Sequence, residues 1–365
     1  MKAYIVSITS SSDEDKTVIN LFGRLENQKS FAAIIPYTPY FYIRESDEKK
    51  AKPILDGAKI EKTKLVNKNK EPVIKISYES QTELNKIVRE IHQKKIDTYE
   101  ADLNPTLRYI IDNDVYGVVD ISGESEPSER VDHVFTNPKV VPAEAQIPLK
   151  VVSIDIESDK KSKDIFCIGL YSKNYEKNFL ITDKPVARAV QCKDEREVLS
   201  KFRDEMISFD PDIITGWNII DFDLNYLKGK FEEHNIPFDF GRTNEKIRIK
   251  LEGNFFRNST ASVPGRQVMD GLNLIKDPFI QEAPSIKSKE FESYSLEDVS
   301  QAMLGEGKII SGKSRHEEIE KIFKTDKEKL VKYNIQDCKL AYDILTKTSI
   351  LDLAIERSSL TGLPL

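Results

Sequence analysis

Between residues 149 and 181 the chain sets three strand-like runs close together, Leu149–Ile156, Asp164–Tyr171 and Tyr175–Ile181, and beyond Asp194 helices and strands alternate. That succession narrows the fold more than any other feature. Asp194 opens a helix with Glu197 as its capping-box partner, and Val198, Phe202 and Met206 line one face. Asp210-Pro211 stops it before a short buried strand, Ile213–Thr215. Asp221–His234 reads as helix with Leu224, Leu227 and Phe231 inward, followed by a strand at Arg266–Met269 and helices at Ser295–Leu304 and Thr325–Lys347. Consecutive strands followed by interleaved helices indicate an α/β sheet domain.

The first part of the chain is organised differently. Ala3–Ile8, Thr17–Phe22, Ala32–Pro36, Tyr40–Ile43 and Val73–Ser77 are strand-like, and Gln81–Gln93 is an amphipathic helix carrying Leu84, Ile87, Val88 and Ile91 on one face. This predicts a mostly β, α+β domain over residues 1–148. Its last stretch, Ile121–Pro148, carries Pro127, Pro138, Pro142 and Pro148 among Ser and Glu, and reads as a linker ending at the domain boundary. Residues 149–348 form the second domain and 349–365 a helical or linking segment. Eight lysines lie between Lys49 and Lys70 against Asp56 and Glu61, either a solvated surface turn or a patch that tracks phosphates.

Composition removes several classes. No apolar run is long enough to span a bilayer, and the opening MKAYIVSITSSS lacks a signal-peptide core. Cys167, Cys192 and Cys338 have no CxxC spacing, and the four histidines are scattered, so a metal would have to sit on carboxylates. A cytoplasmic, nucleoid-associated monomer with no membrane contact is expected. Lys and Arg number 55 against 61 Asp and Glu, a net charge of −6, which excludes indiscriminate coating of duplex nucleic acid.

The acids themselves are patterned. Asp155 and Glu157 are two apart on a strand, so they share a face about 6.6 Å apart along the chain, opposite Ile154 and Ile156. Such a pair is costly to bury unless a cation compensates it. Acids are frequent here, and the pair alone is weak evidence. Asp223 follows the strand Ile213–Thr215 at the first turn of a helix, and Asp337 follows Tyr333 by four residues, placing phenol and carboxylate on one helical face. On the last helix Val331, Ile335, Cys338, Tyr342 and Leu345 form one apolar face, and Leu330, Leu340, Ala341 and Ile344 extend the side of Tyr333 and Asp337. Lys332, Gln336, Lys339 and Asp343 make a polar strip, and Asp337 falls near the core edge. Spacing leaves two readings open for it, a metal ligand or a partner for a nearby lysine.

VSIDIES (152–158), ITGWNIIDFDLNYL (214–227) and YNIQD (333–337) resemble, in order and spacing, the three exonuclease motifs of family B DNA polymerases. GRQVMDG (265–271) and YSLEDVSQAMLGEGK (294–308) resemble the connecting stretches, and PYFYI (39–43) and YEADLNPTLRYIID (99–112) the first domain of archaeal replicases and bacterial DNA polymerase II. The resemblance implies an RNase H-like α/β fold, a mixed sheet flanked by helices, and a 3′–5′ proofreading exonuclease of the DEDD type, tyrosine subclass. Asp155, Glu157, Asp223 and Asp337 would be its acids and Tyr333 its tyrosine. Two divalent cations, Mg²⁺ or Mn²⁺, would be held with Asp155 shared, Glu157 and Asp337 on the nucleophile side and Asp223 on the other. Tyr333 and Glu157 would orient the attacking water. Asn218, Phe222 and Lys308 are candidates for binding the terminal nucleotide, Phe222 by stacking unless it belongs to the core. Expected partners are single-stranded DNA or a primer 3′ end, with primer-template DNA and a sliding clamp engaged through a polymerase portion. Two other readings remain, a non-catalytic DNA-binding scaffold and a nuclease of RNA ends.

Two further stretches spell motifs whose chemistry is not expected here. Gly307–Ser314 spells a P-loop, but a helix rather than a strand precedes it, so ATP binding is not expected. Pro39-Tyr40 matches part of the pocket with which archaeal relatives read template uracil, whereas Ser7 stands about where they carry a tyrosine, which counts against that activity. The chain stops at Thr361-Gly-Leu-Pro-Leu365 with nothing resembling a polymerase palm and reads as an N-terminal portion of a longer enzyme.

Overall fold

The computed structural model describes every residue except 116, 162, 253–257, 311–314 and 362–365. The chain divides into two compact units, Met1–Gln146 and Ile147–Leu365.

The first unit holds a seven-stranded sheet in the order Lys139–Pro142, Val118–Ser122, Lys2–Asp13, Lys16–Leu25, Ser30–Pro36, His133–Thr136, Ser125–Glu126, and an antiparallel three-stranded sheet of Tyr40–Arg44, Pro72–Ser77 and Lys59–Val66. The Gln81–Gln93 helix forms as its periodicity requires, capped by Ser80, with Leu84, Ile87 and Ile91 buried. A second helix, Pro105–Asn113, is capped by the Asn104 side chain. The Ile121–Pro148 stretch departs from the expected linker. Ser125–Glu126, His133–Thr136 and Lys139–Pro142 are strands of the large sheet, and Phe135 is fully buried in its core. Pro127, Pro138 and Pro148 lie outside the strands, and Pro142 ends an edge strand, a position that tolerates a missing N–H. All eight lysines from Lys49 to Lys70 are exposed, two of them paired, Lys59 with Glu61 at 3.1 Å and Lys62 with Glu45 at 2.7 Å.

The second unit is built on a six-stranded mixed sheet ordered Ala189–Cys192, Tyr175–Ile181, Ile165–Ser172, Val151–Ser158, Ile213–Gly216, Gln267–Asp270. The three runs of residues 149–181 give its antiparallel centre, and the later strands add in parallel to Val151–Ser158. This is the RNase H-like α/β arrangement. The Glu195–Phe209 helix buries Val198, Phe202 and Met206 on one side of the core. Glu197 bonds the Lys193 N–H rather than that of Asp194, so the capping box is displaced by one residue.

The long helix Lys327–Lys347 buries two faces, as its pattern predicts, and is preceded by a separate helix, Arg315–Thr325. Asp326 breaks the two apart, its carboxylate accepting the Lys329 N–H at 3.0 Å. Asp343 leaves the predicted polar strip. It is buried because Lys339 and Lys347, each one turn away, neutralise it at 2.7 and 2.9 Å. Gly307–Ile310 follows the Leu296–Leu304 helix through Gly305 in the left-handed region (φ +70°), not a strand, and the rest of that P-loop-like run, residues 311–314, lies outside the described residues. No helix among the described residues is long and apolar enough to cross a membrane.

Candidate metal-dependent nuclease site

The central strand Val151–Ser158 is buried on both sides, so its alternation does not separate core from solvent. Ile154 and Ile156 enter one core, while Asp155 and Glu157 face the opposite way, Glu157 itself buried. Ladder register sets Asp155 beside Gly169 and Glu157 beside Cys167.

Asp223 arrives from the neighbouring parallel strand. After Ile213–Gly216 the chain passes through Asn218 in the left-handed region (φ +58°) and enters a π-helical turn, Ile220–Leu224, in which the Leu224 N–H donates to the Ile219 carbonyl at 2.8 Å. A regular first helical turn was expected. The wider turn puts Asp223 in the interior and leaves its neighbour Phe222 outside, a use of π turns that recurs at functional sites. Asp270, at the end of the next strand, accepts the Ile220 N–H at 3.1 Å and the Leu272 N–H at 2.9 Å, tying this turn to the sheet. Burial, and after it the charge of Asp155, pushes the Asp223 carboxyl well above the usual carboxylate range.

The Lys327–Lys347 helix supplies Tyr333 and Asp337, both buried. Asp337 lies deeper than the core edge predicted for it. The Lys308 ammonium sits 2.6 Å from Asp337 Oδ2 and 5.6 Å from the centre of the Tyr333 ring. Asp155, Glu157 and Asp337 each present a carboxylate oxygen within 4.8 Å of the others. Asp223 stands outside this group of three but is close enough to Asp155 and Glu157 to feel both charges.

A cleft of about 590 Å³ opens over these acids, walled by Asp155, Glu157, Asn218, Phe222, Asp223 and Lys308 among others. Tyr333 and Asp337 are not on its wall; Lys308 lies over them. Phe222 is 43% exposed and stacked on Tyr226, ring centres 6.3 Å apart, so it is not a core residue.

Other residues of the site escape a reading of the sequence. Trp217, on the cleft wall, donates its indole N–H to the Tyr294 carbonyl at 3.1 Å. His316 also reaches the wall. Asn334, beside Tyr333 in the chain, is fully buried and donates to Asp155 Oδ2 at 2.7 Å. Its only sequence signal is an amide on an otherwise apolar helical face.

Comparison with known proteins identifies the family. The family model described as DNA polymerase family B, exonuclease domain, matches residues 96–299, which include Asp155, Glu157 and Asp223. The chain is 28% identical over 361 residues to DNA polymerase II of Escherichia coli (strain K12), covering 95% of this chain and 44% of that protein. It is 27% identical over 378 residues to a DNA polymerase of Archaeoglobus fulgidus, covering 96% and 43%. Its fold matches the family B DNA polymerase of the hyperthermophilic archaeon Pyrobaculum calidifontis with a TM-score of 0.75 at 19% identity, over 100% of this chain and 47% of that one. The chain thus spans less than half the length of these relatives. It belongs to DNA polymerase family B and carries that family's exonuclease domain.

Proposed function

We propose that the chain is a divalent-metal-dependent 3′–5′ DNA exonuclease that removes terminal nucleotides from a single-stranded or frayed primer end, the proofreading activity of a DNA-directed DNA polymerase. The observation that carries this reading is the meeting of Asp155, Glu157 and Asp337 within 4.8 Å beside buried Asp223, beneath one cleft.

The donor set fits hard divalent cations. All four groups are carboxylates, the ligands that suit Mg²⁺ or Mn²⁺, and no thiol or imidazole is needed. Burial raises the proton affinity of Asp223 beside Asp155, a repulsion that a cation would relieve. Asp155 would be shared, Glu157 and Asp337 would complete one ion's ligands, and Asp223 would hold the second. When bound, such ions supply Lewis-acid stabilisation of the phosphodiester oxygens and bring a water nucleophile within reach of neutral pH.

The chain's own residues supply the rest. Glu157, on the cleft wall, orients the attacking water. Phe222 offers an exposed ring for the terminal base, and Asn218 lines the wall where a sugar would sit. Lys308, on the wall and paired with Asp337, gives that carboxylate up to a cation and presents its ammonium to phosphate. Tyr333, whose ring centre lies 5.6 Å from the Lys308 ammonium, would help orient the same water.

The test is digestion of a 5′-labelled single strand with Mg²⁺ or Mn²⁺, parent against Asp155→Ala. A ladder shortening from the 3′ end, lost in the variant, is expected. Equal activity in the two, or salt-dependent binding without cleavage, overturns the proposal. Preference for an RNA strand over DNA redirects it to an RNA-end nuclease.

A further inference from the structure

Three strands place Asp155, Gly169 and Asn178 in one row, since the ladder pairs Asp155 with Gly169 and Gly169 with Asn178. Neighbouring strands lie about 4.7–4.9 Å apart, so Asp155 and Asn178 flank a gap of about 9–10 Å floored by a glycine. The Asn334 amide fills that gap. Its Oδ1 accepts from Asn178 Nδ2 at 2.6 Å, and its Nδ2 donates to Asp155 Oδ2 at 2.7 Å and to the Asp155 carbonyl at 3.1 Å. A Cβ on Gly169 would lie 2.2 Å from Asn334 Oδ1, so the row admits the amide only because residue 169 has no side chain.

The orientation of the amide follows from its partners. A backbone carbonyl can only accept, so the end of Asn334 facing Asp155 is its NH₂, and the opposite oxygen must face a donor. Asn178 and Asn334 are both fully buried, which leaves neither amide room to swing into solvent.

We propose that Asn334 is a positioning residue for Asp155, locked by Asn178 and given room by Gly169. The inference rests on the metal-site reading above. A neutral donor suits this task where a cation would not. Lys308 neutralises Asp337, whereas the amide fixes the angle of the Asp155 carboxylate and leaves its negative charge intact for the ion that Asp155 would share. Partners that orient metal-ligating carboxylates from behind typically change metal affinity or activity by about 10- to 100-fold when removed.

The experiment uses the 365-residue chain with Asn334→Leu, which keeps much of the volume and removes the amide, and with Asn178→Ala, which releases its lock. Mn²⁺ binding is measured by titration calorimetry without DNA, and kcat and KM on a labelled single strand. For Asn334→Leu the expected result is an increase in the Mn²⁺ Kd and a fall in kcat, each about 10- to 100-fold. KM for DNA should stay near the parent value, because Asn334 does not line the cleft. Asn178→Ala should move both quantities in the same direction by less, and it decides alone if Asn334→Leu does not fold. Parent values of Kd and kcat in a folded variant overturn the positioning role while the exonuclease reading stands. A change confined to KM does the same. A parent chain that binds no Mn²⁺ overturns both.

Discussion

Replacing Gly169 with alanine tests how tightly the sheet is built against the Lys327–Lys347 helix. The new methyl would lie 2.2 Å from Asn334 Oδ1 and 2.9 Å from both Asn334 Cγ and Cys338 Sγ, against an ordinary contact of 3.4–4 Å. Asn334 would have to retreat by more than an ångström. It is buried between Asp155 and Asn178, so the side chain cannot turn aside without breaking its bonds. Forcing an extra methyl into such a core costs about 1–3 kcal/mol. Losing a donor to a charged carboxylate adds about 1.5–3 kcal/mol. Relief of glycine's strand entropy returns about 0.5–1 kcal/mol. The net is about 2–5 kcal/mol of destabilisation. Urea unfolding followed by fluorescence reads the right unit, because the single tryptophan, Trp217, lies within it. With an m value of about 2–3 kcal/mol per molar the midpoint should fall by about 1–2 M with the slope unchanged. Gly229→Ala, at a helical position where a Cβ meets nothing within 4 Å, serves as the control and should not fall. A Gly169→Ala midpoint equal to the parent's would refute the packing argument.

Two further outcomes follow from the site. The Asp223 carboxyl is held above its usual range, so the folded chain keeps a proton that the unfolded chain has lost; that contribution is complete at low pH and is lost as pH rises through the folded value. Asp223→Asn, neutral throughout, should therefore melt above the parent in EDTA by a margin that widens as pH rises above the usual carboxylate range, while exonuclease activity disappears; a margin that does not change with pH contradicts it. Lys308→Met removes the ammonium 2.6 Å from buried Asp337 and should lower stability in EDTA by about 3 kcal/mol, with Mn²⁺ restoring more of the melting temperature than it adds to the parent. Equal Mn²⁺ responses would show that lysine and ion do not share this carboxylate.

Local periodicity made much of the frame legible. The Gln81–Gln93 helix could be read because its apolar spacing and its Ser80 cap agree. The four-residue spacing of Tyr333 and Asp337 was enough to put both on one buried face. Reading failed where the outcome depended on which side chains and strands pair in the folded chain. Asp343 looked like a surface acid, and its burial depends on the cations of Lys339 and Lys347. The proline-rich end of the first unit looked like a linker because its strands are short, and one of them, His133–Thr136, joins the large sheet through Ser30–Pro36, far earlier in the chain. The π turn at Ile220–Leu224 carries no compositional mark, since one residue more per turn leaves the same letters in the same order.

Residue types, their spacing and which side chains share a face are properties of the chain alone, because helical and strand periods belong to the backbone. Family membership is legible there too, through motifs spread along most of the chain. The chain's net charge of −6 excluded a duplex-coating protein and said nothing about where the acids gather. Folding brings Asp155, Glu157 and Asp337 together, closes Lys308 on Asp337, and sets Asn178, Gly169 and Asn334 in a row behind Asp155. Strand register and close approach are set by hydrogen bonds and packing between segments as much as 179 residues apart. Burial then changes the proton affinity of a carboxyl such as Asp223, which no local pattern encodes.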